Sequence, residues 1–312
     1  MVELQNSTAT ITLNTGAKIP QLGLGTWRST EGQAYDAVLH AIKETGYVHI
    51  DSAAIYKNEE EVGKAIRDSG VPREKLFVTT KLWGTYHRNP EAALDESLKK
   101  LGLDYVDLYL IHWPVAFKTD NIKDGNYLTV PEKPDGGRDI DIDGWSFVNT
   151  WELVQKLPET GKTKAVGVSN FSINNLKELL AAPTTKVVPA ANQIEVHPLL
   201  PQTELIEFAK SKGIVTEAYS PLGSLDSPLF TNKTLLEVAK SYDVSVAQLL
   251  INWALKRGYV VLPKSVNTER IDANFKVFDL KDEDFEKVSD LVKAEGEQRF
   301  VKPDWSPFPV FE

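Results

Sequence analysis

Four side chains in this sequence could together deliver a proton to a carbonyl oxygen: Asp51, Tyr56, Lys81 and His112. Short strand-like runs end in His49-Ile50-Asp51, Thr79-Thr80-Lys81 and Leu110-Ile111-His112. A phenol titrates near pH ~10, so Tyr56 needs an ammonium beside it to be an effective acid close to neutrality. Lys81 would supply that field, Asp51 would pair with Lys81 and keep it protonated, and His112 would donate a hydrogen bond that orients the carbonyl. Each residue also has a plainer role: a structural ion pair, a helix-start aromatic, a rim histidine beside Trp113-Pro114. The functional reading gains from convergence. Four later runs lead into Ser169-Asn170, Gln193, Tyr219-Ser220 and Lys264-Ser265, all polar residues that follow buried strand types.

The elements that must position these groups repeat along the chain. Apolar, β-branched runs at Leu22 to Gly25, Val48 to Ser52, Phe77 to Lys81, Val106 to Ile111, Lys164 to Val168, Ala190 to Glu195, Ile214 to Ala218 and Tyr259 to Leu262 read as strands. Amphipathic segments alternate with them, at Gly32 to Glu44, Glu59 to Ser69, Glu91 to Leu101, Ser146 to Leu157, Ile173 to Ala181, Thr203 to Ser211, Leu235 to Tyr242 and Arg270 to Val277. Eight such units predict an α/β fold, a (β/α)8 TIM barrel whose active site lies at the C-terminal ends of the strands. Thr10 to Leu13 and Lys18 to Ile19, around Asn14-Thr15-Gly16, predict an N-terminal β-hairpin that plugs one end. Nothing resembling a linker divides the chain, which reads as one domain over 1–312. The long polar stretch Val115 to Gly144 is a candidate lid or a disordered insertion, and long βα loops cover the C-terminal face.

Composition narrows the chemistry. The 312 residues are 42% hydrophobic and 25% charged, with seven Trp, so a sizeable folded core is expected. A net charge of −9 argues against nucleic acid or an anionic membrane as partner. The absence of cysteine excludes disulfides, thiolate zinc sites and cysteine nucleophiles. His40, His49, His87 and His197 show no metal-like pairing, and Asp51 with His112 is too small a set for a metal-dependent hydrolase. No Tyr is followed four residues later by Lys, and Gly23-Leu24-Gly25 is followed by Arg28 where a dinucleotide fingerprint needs glycine, which sets aside a short-chain dehydrogenase. Gly167-Val168-Ser169-Asn170-Phe171 is not a nucleophile elbow. The N-terminus shows no targeting segment, and a cytoplasmic protein is expected.

Several motifs resemble the aldo-keto reductases over essentially the full chain. They are Gly46-Tyr47-Val48-His49-Ile50-Asp51-Ser52-Ala53-Ala54-Ile55-Tyr56, Leu101 to Leu108 leading to His112-Trp113-Pro114, Lys164 to Phe171, and Leu262-Pro263-Lys264-Ser265. Within the family the chain is most similar to the fungal NADP-linked glycerol dehydrogenase and aldehyde reductase branch. The resemblance implies Tyr56 as proton donor, tuned by Asp51 and Lys81, with His112 positioning substrate. It implies an NADPH/NADP+ cofactor, with Ser169, Asn170 and Gln193 on the carboxamide and Tyr219 stacked on the nicotinamide ring. Phosphates fall to Ser220, Leu222, Ser224 and Lys264, and the 2′-phosphate to Ser265, Asn267 and Arg270, since a guanidinium suits a dianion. Thr26, Trp27, Val266 and Asn274 complete that implied set, and no metal is expected.

Val48, Asn267 and Ala273 depart from the Arg, Thr and Glu that many relatives carry, and the last two bear on how strictly NADPH is preferred. The substrate wall is expected from Trp27, Trp83 and Trp113, with Tyr56 and His112 at its base, ahead of Trp305, Phe308 and Phe311. The expected partner is a small-molecule carbonyl compound, and the expected state a monomer, with a dimer as the alternative. A rival reading is an NADPH-binding regulatory or redox-sensing barrel with weak turnover, as the family's potassium-channel β subunits illustrate.

Overall fold

Each of the eight apolar runs becomes one strand of a parallel sheet in the computed structural model, which describes residues 2–134, 136–224 and 227–312. The strands are β1 (Leu24–Gly25), β2 (His49–Asp51), β3 (Phe77–Leu82), β4 (Val106–Ile111), β5 (Thr163–Ser169), β6 (Ala191–Glu195), β7 (Val215–Tyr219) and β8 (Val260–Leu262), and each pairs with the next in sequence. The sheet closes on itself. Leu22 bridges Val261 in parallel, and the Gly23 and Gly25 amides donate to the Val261 and Pro263 carbonyls at 3.0 and 2.9 Å. Closure requires a glycine at position 23, where a Cβ would meet the His49 ring at 2.7 Å and Leu262 at 2.8 Å.

The helices are α1 (Gln33–His40), continued by a π turn Ala41–Thr45, then α2 (Glu59–Asp68), α3 (Pro90–Leu101), α4 (Phe147–Val154), α5 (Ile173–Ala181), α6 (Thr203–Ser211), α7 (Lys233–Tyr242), α8 (Val246–Lys256), α9 (Thr268–Asn274), α10 (Asp282–Ser289) and α11 (Leu291–Glu295). Sequence patterning anticipates most of these, α5 and α6 to the residue, but not α8, α10 and α11. Helix α8 begins at a capping box in which Ser245 and Gln248 satisfy each other's backbone amides. Eight of its eleven residues are buried. Its polar stripe, Gln248, Asn252 and Lys256 at four-residue spacing, is buried at its first two positions and so does not mark a solvent face.

The interior of the barrel is packed, with Phe77, Leu108, Leu110 and Leu262 in one cluster that also takes Leu13 and Ile19. Those two come from the hairpin Thr10–Thr12 with Lys18–Pro20, which plugs one end of the barrel as its sequence suggests. A further strand, Gln5–Asn6, pairs antiparallel with Lys276–Val277 just after α9. The stretch after β4 is folded over its described residues and not a disordered insertion. Phe117 bridges Ile140, Lys118 N donates to Asp139 O at 2.9 Å, and Trp83 Nε1 donates to Thr129 O at 2.6 Å. Among the described residues no helix is long and apolar enough to cross a membrane.

Candidate active site

Neighbouring strands bring the four singled-out residues together. Asp51 is in register with Thr79, so Lys81 lies two residues further up the adjacent strand on the same face. Its ammonium, fully buried, sits 2.6 Å from Asp51 Oδ1, 2.8 Å from Ser52 O and 3.4 Å from the Tyr56 hydroxyl. A 3-10 turn, Ala54–Tyr56, swings the phenol back over the strand end. His112 follows β4, with its ring 5.6 Å from Tyr56 and 5.7 Å from Trp83.

The electrostatics sharpen the reading of the phenol. Burial pushes the Tyr56 hydroxyl up from its ordinary range, and the pull of Lys81 downward does not overcome it. The expectation that Lys81 makes Tyr56 more acidic therefore holds only for the direction of its own field. At neutral pH the phenol keeps its proton, which is the state a donor requires. Burial works to discharge Lys81, but Asp51 and Tyr56 hold its affinity for the proton above the ordinary value. Burial and the Lys81 charge hold His112 well below its ordinary range, so it is a neutral imidazole with one N–H to give.

A second set of polar residues is knitted to these four. Gln193 Nε2 donates to Asp51 Oδ2 at 2.8 Å, and Ser169 Oγ donates to Gln193 O at 2.7 Å. Asn170, in a left-handed backbone conformation with φ 63°, donates to His112 O at 2.9 Å and accepts from Tyr219 OH at 2.7 Å. Glu217, on β7 in register with Gln193, is fully buried, and its carboxyl is pushed up to about 8 by burial and by Asp51.

These residues stand on one long cleft of about 1550 Å³. Thr26, Trp27, Ser220, Leu222 and Ser224 line it, as do Lys264, Ser265, Arg270 and Asn274. Val266 and Asn267 do not. Val266 is exposed, and Asn267 caps α9 by accepting the Arg270 amide at 2.9 Å. Among the lining residues outside the sequence expectation are Arg28, Arg138 and Lys302. Arg28 has φ 56°, lies over the Trp27 ring at 4.4 Å, and accepts from Lys264 Nζ through its carbonyl at 3.2 Å. Trp305, a lower-ranked expected wall residue, lines the cleft and packs with Trp83, Trp113 and Phe117. Phe308 and Phe311 lie off the cleft.

What holds the tail against the rim is Glu195, at the end of β6 and fully buried. Its Oε1 accepts the Phe300 amide at 2.7 Å and lies 2.9 Å from His197 Nε2, and its Oε2 accepts the Val301 amide at 3.0 Å. The His197 ring also packs on Phe300 at 4.7 Å.

Cations converge at the far end of the cleft. Burial and the neighbouring Arg28 charge lower Lys264 from its ordinary value, and Arg270 faces the same space. Like charges held together in a cleft fit an anionic ligand such as a dinucleotide pyrophosphate. A proton donor at one end and a polyanion cradle at the other is the layout of an oxidoreductase that works with a nicotinamide cofactor.

A family model described as the aldo/keto reductase family matches residues 21–293, and the chain belongs to that family. It is 62% identical over 309 residues to aldehyde reductase YPR1 of Saccharomyces cerevisiae, covering 99% of each chain. It is equally 62% identical over 309 residues to the glycerol 2-dehydrogenase (NADP(+)) of the same yeast, again covering 99% of each. Among solved structures, an aldose reductase from Schistosoma japonicum superposes with a TM-score of 0.85 at 36% identity, covering 94% of both chains.

Proposed function

We propose that the chain, one barrel domain over 1–312, reduces aldehydes and ketones, keto esters included, to alcohols with NADPH, and oxidises alcohols or polyols in the reverse direction. The observation that carries this is the Tyr56 hydroxyl 3.4 Å from a buried ammonium that is itself 2.6 Å from Asp51. When bound, NADPH would supply the hydride. Tyr56 supplies the proton to the carbonyl oxygen, and Lys81 stabilises the phenolate left behind in a site where burial makes that charge worth more than in water. Asp51, fixed by Gln193 and Lys81, keeps the ammonium charged. His112, neutral, donates its one N–H to the carbonyl oxygen and so selects the orientation in which Tyr56 reaches it.

Ser169, Asn170 and Gln193 would hold the carboxamide of the cofactor and Tyr219 would take the ring. The 2′-phosphate falls to Arg270 with Ser265, which favours NADPH over NADH, and the name of one yeast relative, glycerol 2-dehydrogenase (NADP(+)), supports that choice. The regulatory reading is the weaker one, because a binding module has no need of a buried Lys81 aimed at a phenol. The test is NADPH oxidation with a panel of aldehydes, ketones and polyols, run on the wild type and on Tyr56→Phe. The variant is expected to lose about 10²–10⁴-fold in kcat with cofactor affinity retained, as for removal of a general acid. Full activity in Tyr56→Phe would end the assignment.

A further inference from the structure

We propose that Arg138 binds a carboxylate, and that the pocket favours carbonyl compounds bearing an acid group at the end remote from the carbonyl. The inference deepens the carbonyl-reductase reading above and rests on it. The argument starts from charge. In a chain of net charge −9, the charged side chains lining the substrate half of the cleft beyond the catalytic cluster are both cationic, Arg138 and Lys302. Among the described residues the lining carboxylates are elsewhere: Asp51 is paired with Lys81, and Glu269 sits in the first turn of α9 beside Arg270. A net acidic protein that turns cations toward one pocket is matched to an anionic ligand there.

Geometry places the guanidinium where such a ligand would end. Arg138 lies over the Trp305 ring at 4.5 Å, and Trp305 meets Trp83 at 6.3 Å and Trp113 at 5.6 Å. Those two rings flank His112 at 5.7 and 6.5 Å. A substrate whose carbonyl reaches Tyr56 and His112 and whose body lies along the tryptophans therefore runs toward Arg138.

The arginine is held in place yet has no partner. Its strand-like backbone bridges Glu132, and the next residue is fixed by Asp139 N to Pro131 O at 2.8 Å. None of its five N–H donors meets an acceptor among the described residues, and one terminal nitrogen is shut off from solvent. The carboxylate of Asp304 feels the Arg138 charge but accepts from Ser306 N at 2.9 Å and forms no ion pair with it. Arg88 makes the contrast: it also lies over a tryptophan, Trp145 at 4.6 Å, but is paired with Asp141 at 2.5 Å and so is committed to structure. A buried donor without a partner calls for an explanation, and a carboxylate matches the planar fork of a guanidinium stacked on a ring.

The experiment compares 4-carboxybenzaldehyde with its methyl ester, using NADPH, in the wild type, Arg138→Met and Arg138→Lys. Wild type is expected to favour the acid in kcat/KM. In Arg138→Met the acid-to-ester ratio is expected to fall by about 10–100-fold, mostly through KM, as for loss of a charged hydrogen-bond partner. Arg138→Lys should keep part of the ratio, since charge survives without the fork. Titration of the cofactor-loaded protein with the product, 4-(hydroxymethyl)benzoate, followed by tryptophan fluorescence, should show the same loss in affinity. Equal kcat/KM for acid and ester in the wild type, or an equal loss for both in Arg138→Met, overturns the proposal. Turnover of neither compound, nor of any other carbonyl, instead overturns the reductase reading on which it rests.

Discussion

Replacing Glu195 by Gln should detach the C-terminal tail from the rim without unfolding the barrel. The carboxylate receives three contacts through two oxygens: Phe300 N and His197 Nε2 on one, Val301 N on the other. Glutamine keeps one oxygen. In its better orientation the oxygen takes the first position, and its NH2 faces the Val301 amide, donor against donor. One buried donor left unpaired costs roughly 1–3 kcal/mol, and loss of the charge weakens the two surviving bonds by about 1 kcal/mol more. A total of about 2–4 kcal/mol corresponds to a ~30- to 700-fold loss of protection for the Phe300 and Val301 amides, read by native-state hydrogen exchange at pH 7. Acid should mimic the change in the wild type. Burial works to raise the Glu195 pKa, but the donors from His197, Phe300 and Val301 bring it below the ordinary carboxylate value. Its contribution is therefore present above the unfolded pKa, about 4.3, and is lost as pH falls through the lower folded value. The variant should show no such acid step. Unchanged exchange at residues 300 and 301 in Glu195→Gln would refute the anchoring argument.

Other outcomes follow from the same geometry. Arg270→Ala is expected to raise the KM for NADPH by about 10-fold or more while barely moving that for NADH, since the extra phosphate is the guanidinium's proposed target; equal losses would reject the role. Glu217→Gln is expected to remove a pH dependence of stability: with its folded pKa raised to about 8, the wild-type carboxyl loses stability as pH rises from the unfolded value toward 8, at up to about 1.4 kcal/mol per unit. Thermal midpoints at pH 6 and pH 9 should therefore diverge less in the variant, and an unchanged divergence rules this out. Gly63→Ala should destabilise the fold by about 1–3 kcal/mol or more in urea unfolding, because a Cβ at Gly63 on α2 would lie 1.9 Å from the Leu101 carbonyl oxygen of α3.

The parts legible in the sequence are those governed by local pattern. Runs such as Leu108 to Ile111 are buried on both faces, so they read as unbroken apolar stretches followed by polar rim residues, and the rim residues then identify themselves. Helix α8 carries a capping signal, Ser245 with Gln248 three residues later, and a polar stripe at Gln248, Asn252 and Lys256, but the first two of these are buried, so it does not read as a surface helix. Glu195 could not be read at all. It sits in a strand like its neighbours, and the amides that give it a purpose lie 105 and 106 residues further along the chain. The same holds for Arg138, whose contact with Trp305, itself an expected wall candidate, forms only after two separate segments have folded over the barrel. The sign of the Tyr56 shift was also beyond the sequence, because it depends on how completely the phenol is buried.

That meeting of two segments separates the evolvability of substrate choice from that of chemistry. Asp51, Lys81 and the strands beneath them belong to the closed sheet, whereas Arg138 and Phe117 come from the connection after β4 and Trp305 from the tail. The pocket wall can thus be rewritten without disturbing the proposed proton delivery, but only as a pair, because Phe117 and Arg138 both pack on the Trp305 ring, at 5.3 and 4.5 Å. A chimera that exchanges the connection alone would present a foreign surface to the resident tryptophan. Residues 115–144 and 299–312 would therefore have to be transplanted together, against the resident Trp83 and Trp113.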